Sequence, residues 1–269
     1  MMLDAPLQIR ALDVQGQEDA LAARLYTAGA CAAKSDTLLV FFHGGGFVGG
    51  DLDQADPLLR QLASEGVSVL ASTYTLAGVR PFPAAVEDAH AVLAWARKHK
   101  TALKWSGKRL VVAGIEAGAN LAAACTLMAR DRGGPALAGQ VLIMPMLDPG
   151  MSSGSMRAMR CPNTVKLADS CAASYRGYLP HAADRMHPYA APLHASRLKQ
   201  LPPALILAAE ADPLCDEAEQ YARKLDACAV PVTVRRIDPV PLQDPQARMA
   251  CACRHAALDE IQHFLAALA

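Results

Sequence analysis

Short apolar runs alternate with longer segments of helical periodicity along most of this chain, and that rhythm restricts the fold more than any other feature. Thr37–Phe42, Val67–Ser72, Arg109–Ala113, Gln140–Met144, Ala204–Ala208 and Val232–Ile237 have strand length and are bounded by turn residues. Between them the spacing predicts helices over Asp56–Glu65, from Pro83 to about Lys98, and over Glu116–Arg130, Asp216–Ala227 and His255–Leu268. Strands that alternate with helices build βαβ units, so the expected class is α/β with a mostly parallel sheet of about eight strands. The 269 residues fit one large α/β domain.

The interval Asp148–Gln200 interrupts the rhythm, with only short helical hints around Val165–Tyr178. A bare loop of that length is implausible between two strands of one sheet. The expectation is a small helical cap, residues 148–200, folded over the carboxyl edge of the sheet, where open α/β sheets place ligands. The glycine turn begins as early as residue 43, so this insertion is expected to supply most of the cover over the site.

Composition narrows the function classes. Lys+Arg and Asp+Glu are both 26, so there is no positive surplus to attract phosphate backbones or anionic lipid. The longest apolar runs fall well short of the ~18 residues of a membrane span. Met1–Arg10 lacks the basic and apolar regions of a signal peptide. Eight cysteines then read as reduced thiols, and the expected compartment is the cytoplasm.

Three stretches sit at strand ends. His43-Gly44-Gly45-Gly46-Phe47 follows an apolar strand, and consecutive glycines can expose backbone N–H groups as donors for a negative oxygen, although a plain turn has the same look. In Gly114-Ile115-Glu116-Ala117-Gly118 two glycines flank a central residue, as in a sharp strand-to-helix turn that pushes that residue into a pocket. Glu210-Ala211-Asp212-Pro213-Leu214 follows another strand and places an acid where it can orient a partner.

With HGGGF at 43–47, Tyr74-Thr75-Leu76-Ala77, RPFPAAVEDAHAVLAW at 80–95, GIEAGANLAAA at 114–124, PYAAPL at 188–193 and LPPALILAAEADPLCDEAEQYARKL at 201–225, the chain resembles the hormone-sensitive-lipase-like carboxylesterases, α/β-hydrolase fold 3. The resemblance implies the α/β-hydrolase fold and carboxylic-ester hydrolase descent. It also implies oxyanion donors at the N–H groups of Gly44, Gly45 and Ala117, a nucleophile at position 116 and an acid at Asp212. The base should be a histidine about 30 residues further along, in the chain order nucleophile, acid, base. Position 116 is Glu and position 242 is Leu, so the serine and the histidine are both replaced.

A serine esterase needs an imidazole to activate its hydroxyl and later its water. The expectation is therefore weak or absent esterase activity, with the Glu116 carboxylate either filling the oxyanion cradle or satisfying the first turn of its helix. One rival reading makes Glu116 a carboxylate nucleophile or base on a small ester or lactone. Another makes the chain an interaction module, for instance a homodimer through the last strand and helix. A small apolar or acyl-like ligand is the expected partner of the pocket, and no cofactor or metal is expected. His255 is the nearest substitute base by sequence. Cys251, Cys253 and His255 form a cluster for which metal or redox roles stand beside the plainer reading of buried thiols.

Overall fold

The computed structural model describes residues 7–29, 34–159, 162–238 and 247–268. Among these residues eight strands form one sheet in the order β1-β2-β4-β3-β5-β6-β7-β8. They are β1 (Gln8–Gln15), β2 (Ala20–Thr27), β3 (Ser35–Phe42), β4 (Ser68–Ser72), β5 (Trp105–Ile115), β6 (Gly139–Ile143), β7 (Ala204–Ala209) and β8 (Val232–Ile237). The pairs from β4 to β8 are parallel, while β1 with β2 and β2 with β4 are antiparallel.

Each central strand is apolar on both faces, as a sheet covered by helices on both sides requires. Leu38, Val40 and Phe42 of β3 share a core with α2 (Ala84–Lys98), α3 (Ala117–Arg132) and α6 (Cys215–Ala227). The alternate residues Leu39 and Phe41 pack with α1 (Leu52–Ser64) and α8 (His255–Ala267). A shift of one residue in register would exchange these two sets.

The β1–β2 hairpin is not among the strands read from the sequence. Its alternation is diluted by charged and small residues: in β2, Leu21, Ala23 and Leu25 are buried, and two of the residues between them are alanine and arginine. The first helix also starts a turn earlier than expected. Asp51 caps it by accepting the Gln54 N–H at 3.0 Å, and Pro57 lies inside it.

The stretch between β6 and β7 carries α4 (Gly154–Arg157), α5 (Pro162–Tyr178) and two short 3-10 turns, Ala182–Met186 and Pro192–His194. Helix α5 lies against the glycine-rich turn after β3. Phe47 stacks on Tyr178 with ring centroids 3.8 Å apart, and a Cβ on Gly46 would come within 2.1 Å of the Ser174 hydroxyl. Among the described residues no helix is long and apolar enough to cross a membrane.

Candidate functional site

The site is assembled at the carboxyl ends of β3, β5 and β7. After β5 the chain turns at Glu116, which has φ 58° and ψ −114°, into α3. The left-handed region is uncommon for a residue with a Cβ and is retained only where the surroundings hold it. Here the backbone of Glu116 is fixed on both sides: its N–H donates to the Ile143 carbonyl at 2.9 Å, and its carbonyl accepts from Met146 and Asn120, each at 3.2 Å. The flanking glycines are required sterically. A Cβ on Gly114 would lie 2.3 Å from the Gly118 carbonyl, and one on Gly118 would lie 2.0 Å from the Phe42 carbonyl oxygen. The turn therefore presents the Glu116 side chain to the space beside the glycine-rich turn.

That turn is braced by His43. Its Nδ1 lies 2.6 Å from the Gly44 carbonyl oxygen, and its ring stacks on Tyr74, whose hydroxyl donates to the His43 carbonyl at 3.1 Å. Burial lowers the His43 pKa, which keeps the imidazole neutral and its Nδ1–H available to the carbonyl.

Of the three expected oxyanion donors, Gly45 donates its N–H to Glu116 Oε2 at 3.3 Å. Gly44 lies against the same carboxylate, since a Cβ on it would be 2.9 Å from Oε2. Ala117 opens α3, where first-turn N–H groups have no partner within a helix. The reading of Glu116 as a plain helix cap is corrected here, for its side chain makes no capping hydrogen bond. It turns toward Gly45 instead.

The second arm of the site comes from a residue that sequence reading overlooked. Arg248, on α7 (Ala247–Ala252), donates from Nε to Asp212 Oδ2 at 2.7 Å and from Nη2 to Asp212 Oδ1 at 3.2 Å. Its Nη1 lies 3.5 Å from Glu116 Oε1. One guanidinium thus faces two carboxylates, and the Asp212 side chain is wholly buried while those of Arg248 and Glu116 are 13% and 21% exposed. Burial works against the Arg248 charge, but Asp212 and then Glu116 more than offset it and hold its pKa above the usual arginine value. The group carries a proton at every accessible pH and has none to accept. Asp212 also accepts the Leu214 N–H at 2.8 Å, a backbone partner beside the arginine.

Leu242 lies outside the described residues. His255 does not serve the site: its side chain is 98% exposed and its Nδ1 lies 4.0 Å from Asp259 Oδ1. The Cys251, Cys253 and His255 cluster does not converge either. Cys251 is buried with its thiol toward the Asp238 carbonyl, and among the described residues no group of three or more His, Cys, Asp or Glu is placed to hold a metal. Cys171 of α5, unnoticed in the sequence, lies near enough to sense Arg248, Glu116 and Asp212, and burial pushes its thiol up to about 12. It stays protonated and is no thiolate nucleophile at neutral pH.

Behind Asp212, α6 carries Glu217, a fully buried acid that accepts the Leu147 N–H at 3.0 Å. Burial raises its pKa well above the ordinary 4.5; the Leu147 N–H opposes the rise, and Asp148 and Asp212 add to it. A carboxyl with a raised folded-state pKa contributes its stability below the unfolded value and loses it as pH climbs through the folded one. Glu217→Gln should therefore be more stable than the parent at pH 7 to 8, with the difference vanishing below about pH 4.5. Urea unfolding across that range checks it; a constant difference at all pH values would show that Glu217 does not titrate with folding.

A surface hollow of about 480 Å³ is lined by Leu127, Arg130, Asp131, Pro188 and Arg197 among others, and a second lies beside Arg80. Neither includes Glu116, Asp212 or Arg248.

Known proteins place this architecture. The family described as alpha/beta hydrolase fold matches residues 39–241. Esterase LipI of Mycobacterium tuberculosis is 36% identical over 234 residues, covering 85% of this chain and 72% of that protein. Carboxylic ester hydrolase LipN of the same organism is 38% identical over 218 residues, 74% of this chain but only 54% of LipN. A hyperthermophilic esterase from the archaeon Pyrobaculum calidifontis superposes with a TM-score of 0.86 at 33% identity, covering 97% of this chain and 87% of that one. The chain belongs to the α/β-hydrolase fold 3 family, the hormone-sensitive-lipase-like carboxylesterases.

Proposed function

We propose that this chain is a member of the carboxylic-ester hydrolase family whose serine-esterase chemistry has been withdrawn, with the oxyanion cradle filled from within by Glu116. The observation that carries this reading is Arg248, which sits on the buried Asp212 and reaches Glu116. In a working triad the acid orients an imidazole that takes a proton from the nucleophile and returns it to the leaving group. Arg248 occupies the acid, and it cannot take a proton.

The rival in which Glu116 attacks substrate as a carboxylate loses support from the same contacts. Donors on its oxygens weaken a carboxylate as a nucleophile, and after alkyl transfer it needs a base to activate water. Glu116 Oε2 accepts from Gly45 and Oε1 faces the guanidinium. Among the described residues no histidine hydrogen-bonds the carboxylate. The Gly45 N–H that would stabilise a tetrahedral oxyanion is engaged as well.

Purified protein given p-nitrophenyl acetate or butyrate at pH 7 to 8 should show no turnover above that of Glu116→Ala and of buffer. Turnover well above buffer that disappears in Glu116→Ala would overturn the reading and restore the carboxylate-nucleophile mechanism.

A further inference from the structure

Among the described residues two donors converge on the Glu116 carboxylate, and each has anchors of its own. The peptide unit that carries the Gly45 N–H is held at its other end, where the Gly44 carbonyl accepts from His43 Nδ1 at 2.6 Å, and the Gly45 carbonyl accepts from Val48 at 3.2 Å and from Gly49 at 3.0 Å. Arg248 is held by two hydrogen bonds to Asp212, which is itself pinned by the Leu214 N–H. The Glu116 contacts are longer than the shorter anchoring one: 3.3 Å to Gly45 and 3.5 Å to Arg248, against 2.7 Å from Arg248 to Asp212. The carboxylate is also the more exposed partner of its ion pair with Arg248, at 21% against 13%.

We propose that Gly45 and Arg248 form a binding site for a small aliphatic monocarboxylate, and that Glu116 is its tethered occupant. The inference rests on the reading that the cradle no longer serves ester hydrolysis. The ligand class follows from the donors. A backbone N–H and a planar guanidinium on opposite sides suit an anion with two oxygens in one plane, one facing each donor. The size follows from the atoms of Glu116 itself. Glu116→Ala removes the carboxylate and one methylene, the skeleton of acetate, and Glu116→Gly removes the skeleton of propionate. In the parent chain, a tethered group has an effective concentration of about the millimolar range or above, so a free acid competes poorly.

The test titrates carbon-13-labelled acetate into parent, Glu116→Ala and Glu116→Gly proteins at pH 7 and low salt, following its linewidth or the heat of binding. Glycine is tolerated at a left-handed φ, so Glu116→Gly guards against a misfolded alanine variant. Acetate should bind Glu116→Ala at least tenfold more tightly than the parent, and propionate should do the same for Glu116→Gly. Adding Arg248→Lys, which keeps a charge beside Asp212 but loses the planar fork, should weaken acetate binding by about tenfold. Equal acetate affinity in the parent and both Glu116 variants would overturn the proposal. So would equal binding of chloride or of neutral methyl acetate, or indifference to Arg248→Lys. Ester turnover by the parent would defeat the functional reading and this inference with it, whereas absent acetate binding without turnover would defeat only this inference.

Discussion

Replacing Arg248 by methionine is expected to destabilise the fold by about 3–5 kcal/mol, the usual range when one partner of a buried ion pair is removed. Asp212 is wholly buried, and among the described residues its carboxylate keeps only the Leu214 N–H once the guanidinium is gone. Glu116 would then face the same unneutralised neighbourhood. Methionine keeps the length and most of the packing, so the loss reports charge rather than a cavity. Urea unfolding at pH 7 measures it. Replacing Asp212 by asparagine together with Arg248 by methionine should recover part of the loss, because the stranded charge is gone. A loss under about 1 kcal/mol for Arg248→Met would mean that Asp212 is solvated or otherwise paired.

The second large effect concerns restored chemistry. The resemblance to the family puts the base at position 242, and a histidine there would find Asp212 already paired with Arg248. Glu116→Ser with Leu242→His is therefore expected to hydrolyse p-nitrophenyl acetate no faster than buffer. Adding Arg248→Ala frees the acid, and the triple variant should exceed the double by about 100-fold or more, the lower range for a positioned general base. Glu116→Ser alone should stay silent, since a guanidinium cannot activate the hydroxyl. Equal turnover by the double and triple variants would show that Arg248 does not block the acid.

The sheet was legible in the sequence because its inner strands are apolar on both faces: Val111, Val112 and Ala113 announce a covered strand without any partner in view. The elbow was equally legible, since a Cβ on Gly114 or Gly118 would lie only 2.3 or 2.0 Å from backbone atoms, which leaves no space for a side chain. The β1–β2 hairpin was not, because alanine and arginine blur its alternation and its buried residues divide between the two cores, Leu25 on one side and Tyr26 on the other. Arg248 was invisible for a different reason. It belongs to a six-residue helix whose sequence, ARMACA, has no periodicity to read, and its importance comes from Asp212, 36 positions away. An arginine amid small apolar residues was the available signal, since a guanidinium in such a setting is either at the surface or paired. His255 and the nearby cysteines attracted notice because reactive side chains adjoined one another in sequence, yet helix α8 turns the imidazole to solvent.

A cradle filled from within requires Glu116 and Arg248 to act on each other across it. A double-mutant cycle of Glu116→Ala and Arg248→Met, read as unfolding free energies in urea at pH 7, isolates that interaction from what each side chain does elsewhere. Glu116 and Arg248 should be coupled by about 1 kcal/mol or more, falling as salt is added because both groups retain some exposure. Additive effects, with a coupling no larger than about 0.3 kcal/mol, would contradict the account and leave the cradle open.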